Sequence, residues 1–388
     1  MDAQNGTHSS KSLRVDVAIV GAGFAGLMTA HKLARLGYKV AVVERSTRIL
    51  AGSSSRNEGW LHAGTYHAQS IADEGQARQV AARCQYGWTQ ILGSFPEARE
   101  PETAPTVAVV GEDRERVLAR WQAFGIGYRE ARTGELAGLS EYVRLSDEEQ
   151  PYVVDDVAIN VGILASRLTQ SIQAAHGVIL VGDAPTALEG ENRIVLHSGL
   201  RIDFSHLVIA AGYATVQACR DLGLPEPELR LWRSHLLTVP RLGASSVFGV
   251  APRQAAMINH GRWSVIGFNE DATLVDAPTF ETDPGVLKEL MAITAARFPN
   301  VALEMSYASA CVKVDVQGGQ NNARSLNVNV RAITPNIVSI LPGKMTETPY
   351  ISDVVCQQIF ESLGNGLVSE RIIDTYARVD KEGDYEFV

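Results

Sequence analysis

The chain has few cysteines, no long apolar run and no surplus of basic residues, and each shortage narrows its class. Its four cysteines, Cys84, Cys219, Cys311 and Cys356, stand far apart in 388 residues and form no CxxC or other ligand spacing. That pattern predicts no metal, and the ordinary role of such a thiol is a small buried hydrophobe. No apolar run approaches the roughly 18 residues of a membrane span, so no integral membrane segment is expected. Lys and Arg number 35 against 44 Asp and Glu, a net charge of −9. That balance argues against nucleic acid and against an anionic membrane surface as partner. Residues 1–12 are polar and lack an apolar h-region, so they read as a disordered leader of a cytoplasmic protein. What is left, 45% hydrophobic and 20% charged residues, suits a soluble globular enzyme. The length favours two interleaved domains sharing one ligand.

The most informative stretch is VDVAIVGAGFAGLMTAHKLARLGYKVAVVER, residues 15–45. An apolar strand enters Gly21-Ala22-Gly23-Phe24-Ala25-Gly26, about a dozen helix formers follow, and a second apolar strand (Val40 to Val43) ends at Glu44. Each part serves dinucleotide binding. Gly21 allows the tight turn, Gly23 lets the backbone approach a pyrophosphate, and Gly26 lets the helix pack close to the sheet. The helix N-terminus offers unpaired N–H groups to the phosphates. Glu44, 23 residues after Gly21, is placed to accept hydrogen bonds from a ribose.

Beyond it, residues 51–70 are rich in Gly and Ser and too irregular for a helix. The pattern then predicts a helix over about 71–92, strand–helix–strand over 105–130, a strand at 157–160 and a helix over 162–175. Strands at 178–181 and 193–197 and a buried strand at 207–211 follow. From about 228 the texture is β-rich, with successive antiparallel strands through residue 270. A helix (283–298), two strands (about 305–316 and 325–331), a buried strand (337–340) and an amphipathic helix (350–363) complete the chain.

Four segments together resemble FAD-dependent oxidoreductases of the D-amino-acid-oxidase-like superfamily. They are the fingerprint, Ser53-Ser54-Ser55-Arg56-Asn57-Glu58-Gly59-Trp60-Leu61-His62-Ala63-Gly64, Arg233-Ser234-His235, and Pro335-Asn336-Ile337 through Gly343-Lys344-Met345-Thr346. In motif they are most similar to glycerol-3-phosphate and L-2-hydroxyglutarate dehydrogenases. The resemblance implies an α/β fold: a Rossmann-like FAD-binding domain (13–85, 150–225 and 333–375) interleaved with an antiparallel-sheet α+β substrate domain (86–149 and 226–332), then a tail (376–388). It implies that FAD is held by Gly21, Gly23, Phe24, Ala25, Gly26, Glu44 and Arg45, by Ser53, Ser54, Ser55, Arg56, Asn57, Gly59 and Leu61, and by Ala184, Ala211, Gly212, Gly343, Lys344, Met345 and Thr346. The N-terminus of the last helix would stabilise negative charge on the flavin.

It also implies catalytic roles for His62, His235, Arg233 and Lys313. His62 would act as a base, and strand alternation puts Arg233 and His235 on one face and so into one pocket. Lys313 stands in Cys311-Val312-Lys313-Val314, where the superfamily has an anion-binding Arg. Losing that planar fork disfavours a phosphate and leaves a carboxylate open; Arg253, Arg262 and Arg331 are weaker anion candidates. Cys311 is a minor candidate for covalent flavin attachment, non-covalent FAD being the expectation. The function expected is oxidation, by hydride transfer to flavin, of a C–N or C–O bond in a small anionic substrate. An amino acid or a 2-hydroxy acid fits, with oxygen or another electron acceptor as oxidant. The alternatives are a non-redox flavin enzyme of isomerase type, an NADPH-dependent monooxygenase, or a purely binding role.

Overall fold

The computed structural model describes residues 12–101, 104–268, 272–316 and 326–362. Val17–Val20 forms a strand because four apolar, mostly β-branched residues can be buried on both faces, and all four are. It lies inside a six-stranded sheet ordered Asn329–Thr334, Ile337–Leu341, His206–Ile209, Val17–Val20, Val40–Glu44, Val178–Val181. All neighbours run parallel except the edge strand Asn329–Thr334. The chain leaves Val17–Val20 for Val40–Glu44 and later returns to His206–Ile209 on the opposite side. The carboxyl end of Val17–Val20 is therefore a topological switch point, where ligands of open α/β sheets bind.

The helix Phe24–Arg35 follows directly, and ten of its twelve residues are buried. Both Val161–Ala174 and Thr348–Ser362 pack against it, which is why apolar residues surround its axis. Lys32 and Arg35 in its last turn complement the helix dipole. Its one buried histidine, His31, has Nδ1 within 2.8 Å of Ser171 Oγ. Burial, with smaller repulsion from Arg35 and Lys32, pulls its pKa from 6.5 down to about 4. The unfolded chain thus takes up a proton near pH 6.5, whereas the folded chain resists until about pH 4. Stability is therefore lost as pH falls through that window, on the order of 3 kcal/mol. The substitution His31→Gln is expected to flatten the pH dependence of the unfolding midpoint there; an unchanged slope would count against a buried neutral histidine.

A nine-stranded sheet makes the second layer, and Leu229–Pro240 is its longest strand. That strand pairs antiparallel with Tyr307–Val316 along one edge and with Trp263–Phe268 and Thr273–Val275 along the other. The pairing is antiparallel as expected except between Val247–Gly249 and Thr106–Val110, which run parallel. The mixed α/β fold, with a Rossmann-like sheet beside an antiparallel one, is as the sequence implied.

Several details differ. Gln150–Val154 pairs in the nine-stranded sheet, and Asn329–Thr334 pairs with Ile337–Leu341 in the six-stranded one, so both fall across the expected divisions at 150 and 333. Periodicity reveals a strand but not its partner. Three short strands, Ser12–Arg14, Pro185–Glu189 and Arg201–Asp203, join Arg193–Leu196 in a four-stranded sheet that the sequence did not suggest. Proline is tolerated at 185 because it opens an edge strand, and Ser12 lies in structure rather than in a leader. His67–Ser70 forms one helical turn within the stretch read as irregular. The leader residues 1–11, the 363–375 part of the FAD-binding segment and the tail 376–388 lie outside the described residues. Among the described residues, no helix is long and apolar enough to cross a membrane.

Candidate active site

A cavity of about 690 Å³ runs from the carboxyl end of Val17–Val20 to the faces of Leu229–Pro240 and Tyr307–Val316. At its first end, backbone approach is too close for side chains. A Cβ at Gly21, whose φ is +109°, would lie 2.5 Å from the Ala210 carbonyl oxygen, and one at Gly26 would lie 1.9 Å from that of Gly21. Gly26 thus packs the helix onto the turn and does not itself line the cavity. Gly23 caps the helix without a side chain, and no acidic residue occupies the first turn. That end therefore favours an anion. The Phe24 N–H donates to Ser54 Oγ at 3.1 Å, tying the helix start to the 53–55 turn.

Glu44 accepts the Ala22 and Ser46 N–H groups, both at 2.9 Å. A carboxylate has about four lone-pair sites, so capacity remains for ribose hydroxyls. Arg45 lies over the Tyr213 ring and donates to its hydroxyl at 3.2 Å. Ala25, Ser53, Asn57, Ala184, Ala211, Gly212, Gly343, Lys344, Met345 and Thr346 also line the cavity.

Other expected residues point elsewhere. Ser55 is exposed, and Arg56 turns away onto the Phe280 ring, 4.5 Å from its centroid. Gly59, at φ +84°, backs onto His260, whose ring a Cβ would meet at 2.6 Å. Leu61 is core, packed among residues around the first helix. Arg233 and His235 do share a face, but it is the one turned toward the helix Pro284–Arg297. The Asp283 N–H donates to His235 Nε2 at 2.9 Å, and Arg233 donates to the Asp283 carboxylate at 3.0 Å. Burial first, then Arg233, lowers the pKa of His235. Neither residue lines the cavity; their neighbour Trp232 does. Alternation gave the pairing of faces and not which face looks inward.

The second end holds titratable and aromatic side chains. His62 lines it, stacked on Trp60 and edge-on to His67 at 4.7 Å between ring centroids. Its Nδ1 lies 3.2 Å from Asp156 Oδ1, and its backbone N–H donates to Thr346 Oγ1 at 3.2 Å. Lys313 Nζ lies 3.6 Å from Glu58 Oε1, and both line the cavity. Trp232 stands directly opposite Lys313 in the antiparallel pair, so the two side chains share a face. Its buried Nε1–H has no acceptor among the described residues. Cys311 also lines the cavity, its Sγ 4.0 Å from the Ser53 carbonyl.

The sequence passed over Glu58, Trp60, Tyr66, His67, Trp232 and Asp156. Alternation about Arg233 and His235 would have offered Trp232, and Glu58 and Trp60 lie inside the recognised motif. Nothing signalled Asp156, 94 positions beyond His62.

A family model described as FAD dependent oxidoreductase matches residues 16–319. A probable FAD-dependent oxidoreductase of Pseudomonas aeruginosa is 26% identical over 244 residues, which cover 59% of this chain and 59% of that one. Glycine oxidase from Geobacillus kaustophilus shares the fold at a TM-score of 0.70 and 17% identity, covering 90% of this chain and 95% of that one. L-alpha-glycerophosphate oxidase from Mycoplasma pneumoniae, solved with FAD bound, does so at a TM-score of 0.72 and 18% identity, covering 92% and 96%.

Proposed function

The chain belongs to the family of FAD-dependent oxidoreductases, and from that premise we propose that it oxidises the C–N bond of a small carboxylate-bearing amine of amino-acid type. Its cavity suits the cofactor: Gly21, Gly23, the start of the helix Phe24–Arg35, whose N-cap residue brings no side chain, and Glu44 all border it. Those groups would hold the pyrophosphate and ribose, and the 343–346 turn would border the ring. When bound, FAD supplies the hydride acceptor.

The chain's own residues do the rest. Lys313 and the Trp232 Nε1–H anchor the substrate carboxylate, and Glu58 faces its ammonium. His62 receives the proton that the amine must shed before it is oxidised. Trp60, Trp232, Phe248 and Phe268 give that end of the cavity aromatic walls. The observation that carries this reading is the opposed pair Lys313 and Glu58, 3.6 Å apart in the lining. A zwitterion complements both charges, whereas a 2-hydroxy acid leaves Glu58 facing only a hydroxyl.

Anaerobic incubation with panels of amino acids and 2-hydroxy acids tests it through bleaching of the flavin band. Amino acids are expected to bleach it, and Lys313→Met to weaken their binding roughly tenfold to hundredfold, the value of a hydrogen bond to a charged group. Bleaching by hydroxy acids alone would move the reaction to a C–O bond. Bleaching by no donor would favour an isomerase-type role, and rapid NADPH oxidation a monooxygenase.

A further inference from the structure

We propose that Asp156, supported by Thr65, is a positioning residue that fixes the tautomer and aim of the His62 ring. The inference rests on the reading of His62 as proton acceptor, and it begins with strand register. Trp60–Leu61 pairs antiparallel with Val157–Ala158, Leu61 opposite Val157. Continuing that register by one residue sets His62 opposite Asp156. This two-residue ladder thereby aligns a histidine and a carboxylate that lie 94 positions apart.

The carboxylate is wholly buried, and so is Thr65. A buried charge is tolerated when its lone pairs are satisfied. Here His62 Nδ1 meets Oδ1 and the Thr65 hydroxyl donates to Oδ2. Thr65 is itself fixed, because its carbonyl accepts the Nε1–H of fully buried Trp121 at 2.9 Å. Gly64, at φ +95°, makes the turn that lets His62 and Thr65 address one carboxylate.

With Asp156 accepting the Nδ1–H, the lone pair of a neutral imidazole resides on Nε2. That nitrogen makes no hydrogen bond among the described residues, and His62 lines the cavity. The ring is therefore set to take a proton at Nε2 and to pass the resulting charge's partner role to Asp156. The same physics orients imidazoles in other proton-transfer sites, where the carboxylate holds the ring and does not itself become protonated.

The tautomer is read without substrate by ¹⁵N NMR of the histidine rings in the FAD-loaded protein. Wild type is expected to carry the His62 proton on Nδ1. In Asp156→Asn the amide donates to Nδ1, and the proton is expected to move to Nε2. With the substrate found by bleaching, Asp156→Asn is expected to slow flavin reduction about a hundredfold with KM little changed. Added to His62→Ala it should cost almost nothing more, as residues acting through one another do. Thr65→Ser should retain the wild-type rate and Thr65→Val lose part of it. An unchanged tautomer in Asp156→Asn, or an equal loss of rate in the His62→Ala background, would overturn the positioning role. A shifted tautomer together with full activity of His62→Ala would instead leave Asp156 positioning the ring and remove His62 from the chemistry.

Discussion

Replacing His62 with alanine is expected to slow substrate-driven flavin reduction about 10²–10⁴-fold, the range that a positioned general base supplies. FAD content and its spectrum should stay those of the wild type. The separation is physical. The imidazole sits at the aromatic end of the cavity, against Trp60 and His67, whereas the groups suited to the dinucleotide lie at the glycine end. Only the backbone N–H of His62 reaches the turn bordering the expected ring, through Thr346 Oγ1, and alanine keeps it. Stopped-flow absorbance under nitrogen gives the rate directly. Loss of both FAD and rate would make His62 a cofactor residue, and an unchanged rate would pass the proton to His67, Glu58 or water.

The second large effect is expected at a glycine to which the sequence draws no attention. Gly87 lies inside the helix Glu74–Ser94, where alanine ordinarily stabilises by up to about 1 kcal/mol. A Cβ there would stand 1.7 Å from the Thr346 carbonyl oxygen. That oxygen is backbone and cannot rotate aside, so helix and turn must separate. The turn carries Gly343 to Thr346 and leads into the helix Thr348–Ser362, which packs on Phe24–Arg35. Overpacking of this kind costs roughly 1–3 kcal/mol and occasionally more. Gly87→Ala should therefore lower the unfolding midpoint and weaken FAD together. Gly93→Ala, in the same helix with nothing within 4 Å of the new methyl, should be neutral or slightly stabilising. Calorimetry and FAD titration of both proteins check this, and equal behaviour of the pair would show that the turn yields.

Much of the cofactor half was legible because it is local. The tight turn, the helix and the terminal acid of 21–44 lie within one βαβ unit, where periodicity of two gives way to 3.6. Glycines at 21 and 26 are required by contacts with residue 210 and with each other, and the motif encodes that crowding as composition. The motif around residues 53–64 was legible as a segment but not residue by residue. Its side chains diverge, Ser53 and Ser54 to the cavity, Arg56 to Phe280 and Leu61 to the core.

The catalytic half was read with two errors of direction. Arg233 and His235 carried the chemistry expected of a pocket, yet they serve the helix N-cap at Asp283. Alternation cannot say which face of a sheet a cavity occupies; packing of the whole nine-stranded layer decides that.

By itself, then, the sequence determined a Rossmann-like α/β fold and the chain's kinship with flavin oxidoreductases, since each of the motifs that carry them is a short local stretch. Tertiary structure alone decided that Trp232 stands opposite Lys313 and Lys313 beside Glu58, that Gly87 lies under Thr346, and that Asp156 meets His62. Those contacts join residues dozens to hundreds of positions apart. They exist only once strand register and helix packing have spent chain entropy to close the intervening loops, and no local pattern records them beforehand.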